Sequence, residues 1–237
     1  TSPPPSWGCY TAEGAEAAGN CNLIIGRHGP TAIDYYIADI GEANYYVGHR
    51  RLVLFPPQKT MGTGSTTATN GPFDGSNALW VAGPFGPRPA TPEYVAWPPA
   101  GYVPYEIIYD RWSFSYPEAD FSGASVTISV EGAGDPSLDI LPLKTDHVDN
   151  TLVWEPDYWV PGGGAPDEDI AVDVSVNNVV VNGTERDFHY RVTVIDPEQA
   201  PSKSAIAQAL TMTTGNPGGY DVNGDQVLDA ADVQATE

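Results

Sequence analysis

The stretch "AVDVSVNNVVVNGTERDFHYRVTVIDP", residues 171–197, carries a clear strand pattern. Polar and apolar residues alternate along it, as in a strand with one buried face. The apolar face carries Phe188, Tyr190, Val192 and Val194. The Asn-Asn at 177–178 and the Asn-Gly at 182–183 are turn signals, so the stretch is predicted to form three successive strands. This spacing predicts an antiparallel β-sandwich of immunoglobulin type over residues 101–197.

Upstream of the sandwich, the chain alternates between helix signals and loop signals. "TAEGAEAAGN" at 11–20 is rich in Ala and Glu and ends on a helix-stop pair, and "GPTAIDYYIADIG" at 29–41 places Pro30 in a first helical turn. Two short helices are predicted there. From Leu52 onward, Pro and Gly divide the chain into long loops with short strands between them. Together with the sandwich, this pattern predicts an α+β fold.

Composition excludes several classes of partner. The chain has 31 acidic and 10 basic residues and a formal charge of −21. Such a charge repels nucleic acid and anionic membrane surfaces, so neither is an expected partner. No apolar run approaches the roughly 18 residues of a membrane span. The start "TSPPPSWGCY" lacks the regions of a signal peptide, so the chain is expected to be a mature or processed product.

Cys9 and Cys21 are the only two cysteines. In an oxidising compartment a bond between them would close a short loop and contribute about 3 kcal/mol of stability. The alternative is a pair of buried thiols. We expect the disulfide, and with it a secreted or cell-surface location.

The stretch "DVNGDQVLDAAD" at 221–232 has the length and ligand pattern of a twelve-residue calcium loop. The expected calcium ligands are Asp221, Asn223, Asp225, the carbonyl of Val227, Asp229 and Asp232. The sixth position is Gln226 where Gly is usual, which bears on affinity. The alternative is a solvated acidic tail.

Asp at the twelfth position, with "DVNGD" before it and "DAADV" around it, resembles one repeat of a dockerin, the calcium-binding module by which secreted bacterial proteins bind a cohesin. The resemblance implies a partial dockerin repeat with EF-hand-like geometry at 219–237, preceded by a linker at 198–218. It also implies calcium as the cofactor and a cohesin-like protein or extracellular scaffold as the partner.

Two stretches, "NLIIGRHGPTAIDYYIAD" at 22–39 and "GHRRLVLFPPQKTMGTGS" at 48–65, resemble the second half of a CAP domain. This is the superfamily of cysteine-rich secretory, antigen-five and pathogenesis-related-one proteins. Its Gly-Glu-Asn-Leu, Gly-His and Met-Gly-x-Gly signatures correspond here to "NCNL", "GHRR" and "MGTG". The resemblance implies a CAP-like α/β/α domain over residues 1–100 that lacks its first helix.

CAP proteins of the metal-binding sort present two His and two Glu in a cleft, and the resemblance places His49 at one of these positions. Cys21 stands at the position of one Glu, and Asp39 or Glu42 stands near the other. The first His has no counterpart, so this chain alone is not expected to build the four-ligand cleft. The alternative for His49 is a histidine that is hydrogen-bonded into the domain's turn.

Three hypotheses of function follow. The first is a secreted, non-catalytic CAP-like binding module, held in an extracellular assembly by its calcium-dependent end. The second is a metal-dependent hydrolase whose cleft is completed by an N-terminal segment or a partner chain. The third is a structural subunit of a surface layer or filament. No catalytic residue is assigned.

Overall fold

The structure is a computed structural model that describes residues 3–67, 73–90, 93–145, 148–157 and 165–198. The predicted calcium loop and nearly all of the predicted linker lie outside the described residues. Among the helices of the described ranges, none has both the length and the apolar character needed to cross a bilayer.

The N-terminal part consists of three helices and a small sheet. The helices are α1 (Ala12–Asn20), α2 (Pro30–Ala38) and α3 (Gly48–Val53), and a short 3₁₀ turn covers Glu42–Asn44. The strands β1 (Cys21–Ile25), β2 (Gly62–Thr66) and β3 (Ser76–Trp80) form an antiparallel sheet in the order β1-β3-β2. Helices α1 and α2 lie where the sequence predicts them, whereas α3 is an addition to the prediction.

The C-terminal part is built from two four-stranded sheets. One contains β4 (Val95–Trp97), β6 (Trp112–Tyr116), β9 (Asn150–Pro156) and β8 (Leu138–Ile140), in that spatial order. The other contains β5 (Gly101–Pro104), β11 (Thr184–Ile195), β10 (Ile170–Val181) and β7 (Ser125–Val130). All pairings are antiparallel except that of β5 with β11, which is parallel.

When the strands are lettered in chain order from β4, with β5 as an extra edge strand, the first sheet reads A-B-E-D and the second G-F-C. This is the strand order of an immunoglobulin-type sandwich. Because β4 pairs with β6, the sandwich begins at Val95 and not at the predicted boundary of residue 101. The predicted α+β class with a large antiparallel β content is confirmed.

One core fills the space between the two sheets. Trp112, Phe114 and Trp154 contribute from the first sheet, and alternate valines of β10 and β11 contribute from the second. These valines are Val172, Val174, Val176, Val192 and Val194. The alternation that predicted the strands is therefore the alternation that fills the core.

The prediction of a turn at Asn177-Asn178 is wrong. Both residues lie inside the continuous strand β10, where the register with β11 shifts between Val176 and Val179. Asn178 adopts a left-handed conformation with φ 57°, and its backbone N–H donates to Asp187 Oδ1 at 2.9 Å. Asn tolerates this conformation in a bulge as well as in a turn, so the stretch forms two long strands instead of three.

Strand β6 is buried along its whole length. Trp112 and Phe114 face the core between the sheets, whereas Ser113 and Ser115 are buried on the opposite face. There the side chain of Arg50 in α3 donates to Ser113 Oγ at 3.1 Å. The N-terminal part therefore packs directly on the outer face of the first sandwich sheet.

Candidate site around His49 and Asp39

Asp39 ends helix α2 in a left-handed conformation, with φ 51° and ψ 49°. Its backbone N–H donates to the carbonyl oxygen of Tyr35 at 2.9 Å, so it serves as the C-terminal cap of the helix. Gly or Asn is the more usual residue in this conformation because a Cβ atom is disfavoured there. The turn at Asp39 redirects the chain towards α3.

The Asp39 carboxylate accepts hydrogen bonds from three donors at the start of α3. Its Oδ1 lies 2.7 Å from His49 Nδ1, and its Oδ2 accepts the backbone N–H groups of His49 at 2.8 Å and Arg50 at 3.3 Å. The side chain of Asp39 is fully buried, whereas that of His49 is 36% exposed. The carboxylate therefore both caps α3 and fixes the orientation of the imidazole. Because Nδ1 is engaged, Nε2 is the ring nitrogen that is available to a ligand or a proton.

The electrostatics of the pair favour a protonated imidazole. The hydrogen bond to Asp39 raises the pKa of His49, burial opposes this, and the negative charge of Asp39 adds to the increase. His49 therefore accepts a proton more readily than an isolated imidazole does.

Tyr36 forms one wall of the site. Its ring stacks on the imidazole of His49, with a centroid distance of 5.9 Å and an interplanar angle of 29°. Its hydroxyl lies within 3.1 Å of three oxygens, the Asn22 carbonyl and both the carbonyl and Oδ1 of Asn77. Burial raises the pKa of Tyr36, and the neighbouring Cys21 adds to the effect. The phenol therefore ties α2 to the small sheet and stays protonated.

Glu42, the third residue predicted for the cleft, and Cys21, which stands at the position of a family Glu, do not join the pair. Glu42 is exposed in the 3₁₀ turn, and Cys21 is half-buried at the start of β1. Within the described part of the chain, no three His, Cys, Asp or Glu side chains come together as a metal site. Of the three residues predicted for the cleft, the structure brings together Asp39 and His49.

Cys9 and Cys21 are both free thiols in the structure, the first exposed and the second half-buried. Burial raises the pKa of the Cys21 thiol, which disfavours its reactive thiolate. A bond between the two cysteines in an oxidising compartment remains a prediction.

Four arginines at the joint between the N-terminal part and the sandwich were not predicted to be structural. Arg50 is 1% exposed, and Arg51 donates to the backbone carbonyls of Lys144 and Asp149 at 3.2 and 2.9 Å. Arg88 holds the Asp149 carboxylate with two bonds of 2.9 and 2.6 Å. The fourth is Arg111, which precedes β6 and donates to Glu155 of β9. For Arg50 and Arg51 the sequence shows only an Arg-Arg pair before an apolar run, and this pattern is compatible with exposed arginines as well as with buried ones.

The cavity at this joint is too small to serve as a binding site for an organic ligand. It is lined by charged side chains of Arg50, Arg51 and Asp149, by the serines of β6 and by apolar side chains, and its volume of about 10 Å³ is that of a single water position. The candidate site is therefore the exposed side of His49 and not the joint.

Comparison with known proteins gives no family assignment. No family model matches the chain, and no curated protein matches it. Among solved structures, the chain is similar to PcoC, a methionine-rich copper resistance protein from Escherichia coli, at 14% sequence identity. The match covers 42% of this chain and 92% of that one, with a TM-score of 0.32. A likeness of this degree supports no inference about function.

Proposed function

We propose that the chain is a secreted, non-catalytic CAP-like binding module of bacterial type, joined to an immunoglobulin-like sandwich. In this proposal its C-terminal end, residues 219–237, is a partial dockerin repeat that holds the module in an extracellular or cell-surface assembly. The ligand of the module binds on the exposed side of His49.

The observation that supports a binding module over a metal site that uses Asp39 as a ligand is the engagement of the Asp39 carboxylate. Both of its oxygens are engaged by donors of α3, and its side chain is fully buried. A carboxylate used in this way orients a neighbouring imidazole and caps a helix, but it offers no face to a substrate or a metal ion. The raised pKa of His49 favours the form in which its Nε2 donates a hydrogen bond to an acceptor group on a ligand.

The calcium-dependent attachment is supported by the sequence of residues 221–232. Four carboxylates, an amide and a carbonyl provide the oxygen ligands that this ion requires. At an effective dielectric constant of about 20, each close pair of these carboxylates repels by about 4 kcal/mol, which a bound divalent cation offsets. The partner expected for such a module is a cohesin-like protein.

A second function, a metal-dependent hydrolase completed by an N-terminal segment or a partner chain, is favoured by one observation. An imidazole whose Nδ1 is held by a buried carboxylate is also the arrangement of a general base or a metal ligand. In that case His49 supplies one member of a site whose other members come from elsewhere.

Calcium titration of the full chain by calorimetry tests the attachment. The wild-type chain should show a saturable site, and Asp221→Ala with Asp232→Ala should abolish it. The matched control is Asp135→Ala with Asp139→Ala, which removes the same charge from an exposed segment of the sandwich and should bind calcium normally. A wild-type chain with no saturable site at millimolar calcium contradicts the proposal.

A further inference from the structure

The turn that carries Asp39 is held by an arginine that leads into the sandwich. The Nη1 of Arg111 donates to the carbonyl oxygens of Asp39 at 2.8 Å and Gly41 at 2.9 Å. Its Nε donates to Glu155 Oε1 of β9, also at 2.8 Å. One largely buried side chain therefore connects this turn to a sandwich strand.

Arg50 holds the same turn from the side of α3. Its Nε donates to the carbonyl of Ile37 at 2.6 Å, and its Nη2 donates to that of Ala38 at 3.4 Å. Its Nη1 donates to the carbonyl of Arg111 at 2.8 Å. Arg50 thus contacts the backbone of Arg111, and the two arginines together hold the end of α2.

Within residues 37–41, four of the five carbonyl oxygens accept a hydrogen bond from one of these guanidinium groups. This is where Asp39 adopts its left-handed conformation, which costs a residue with a Cβ atom about 1–2 kcal/mol. Such a conformation persists where the surroundings determine it. The direction of the Asp39 carboxylate follows from that backbone conformation.

From these contacts we infer that Arg111 is a positioning residue for His49. Through the backbone of residues 39–41, it holds the Asp39 carboxylate against the imidazole. In that case residues of the sandwich help to orient the His49 side chain. This inference does not rest on the proposed function, because it concerns the state of the His49 side chain whatever that side chain binds.

The direction in which the pKa of His49 changes distinguishes a positioning role of Arg111 from a purely electrostatic effect of its charge. Removing a nearby cation stabilises the protonated form of a histidine and raises its pKa. Loosening the hydrogen bond between His49 and Asp39 has the opposite effect, because that bond is the main cause of the raised pKa of His49. Arg111→Lys keeps the charge but cannot bond two carbonyls and a carboxylate with one planar group.

The experiment is an NMR titration of the His49 ring protons in the full chain, with the signal assigned by its loss in His49→Gln. In Arg111→Met and in Arg111→Lys the pKa of His49 should fall by at least about half a unit, which is well above the precision of such titrations. Arg191→Met removes an exposed arginine that pairs with Asp173 on the other sandwich sheet, and it should leave the pKa of His49 unchanged.

An unchanged or raised pKa of His49 in either folded Arg111 variant overturns the inference. If neither Arg111 variant folds, Glu155→Asp decides, because it keeps the negative charge but shortens the side chain that anchors Arg111 on β9. The pKa of His49 should then fall by a smaller amount in the same direction, and a value equal to that of the wild type overturns the inference.

Discussion

Asp39 contacts His49 twice: Oδ1 lies 2.7 Å from the imidazole Nδ1, and Oδ2 accepts the backbone N–H of the same residue at 2.8 Å. The carboxylate therefore fixes both the start of α3 and the orientation of the ring. Ten residues separate the pair along the chain, and the left-handed turn at Asp39 brings them together.

Asp39→Asn should lower the pKa of His49 and destabilise the fold by about 2–3 kcal/mol, because a buried charge-assisted pair and a helix cap are both weakened. Urea denaturation measures the free energy of unfolding, and the His49 ring protons report the pKa. A variant with wild-type stability and an unchanged pKa of His49 would show that the pair contributes little.

The contribution of His49 to stability should depend on pH in a defined direction. Because the folded-state pKa of His49 is raised, its contribution is fully present below the unfolded pKa of about 6.5 and is lost as the pH rises through the folded pKa. The difference in unfolding free energy between wild type and His49→Gln should therefore be larger at acidic than at alkaline pH.

Repeating that comparison in the Asp39→Asn background provides the control. There the effect of His49→Gln should lose most of its pH dependence, because the partner that raises the pKa is gone. A difference that grows with rising pH, or one that persists unchanged without Asp39, contradicts the assigned interaction.

Elements whose signals are local were predictable from the sequence. The strands around Val174 and Val192 follow from an alternation that has one buried face, and α2 follows from Pro30 at its first residue. The predicted turn at Asn178 is wrong because Asn is equally compatible with a bulge and with a turn. His49 is hydrogen-bonded to Asp39, an arrangement that both interpretations of this residue allow, so its role stays a prediction.

The joint was not predictable for a physical reason. Arg50 donates to backbone carbonyls, one of them at Arg111, which is 61 residues away in the chain. A carbonyl acceptor has no sequence signature, since every residue carries one. The burial of Arg50 depends on the docking of α3 against β6, which no local pattern encodes.

Arg50→Met should destabilise the protein by about 3 kcal/mol, because buried carbonyl oxygens at the end of α2 lose their donors. Burial lowers the pKa of Arg50 to about 9, and the nearby Asp39 carboxylate opposes this, so the side chain is a cation at neutral pH. Urea titration followed by tryptophan fluorescence measures the loss.

The matched control is again Arg191→Met, which removes an exposed ion pair and should cost less than about 1 kcal/mol. Arg50→Lys keeps the charge but loses the planar fork, so it should be destabilised as well. If Arg50→Lys were as stable as the wild type, the charge and not the set of hydrogen bonds would be responsible.

The isolated chain should not hold one tightly bound zinc ion, because Asp39 is engaged by α3 and no three His, Cys, Asp or Glu side chains of the described residues come together. Elemental analysis after zinc loading and dialysis checks this. One zinc per chain that disappears in His49→Ala would favour the hydrolase over the binding module.

In the proposed function a folded module is attached through a calcium-binding end, and an amide NMR titration of the full chain with calcium monitors both parts at once. We predict saturable shifts of the signals of residues 221–232, and unchanged signals for His49 and for the core strands β10 and β11. Signals of residues 221–232 that do not respond at millimolar calcium would show that the end is a solvated acidic tail, and the proposed attachment would be wrong.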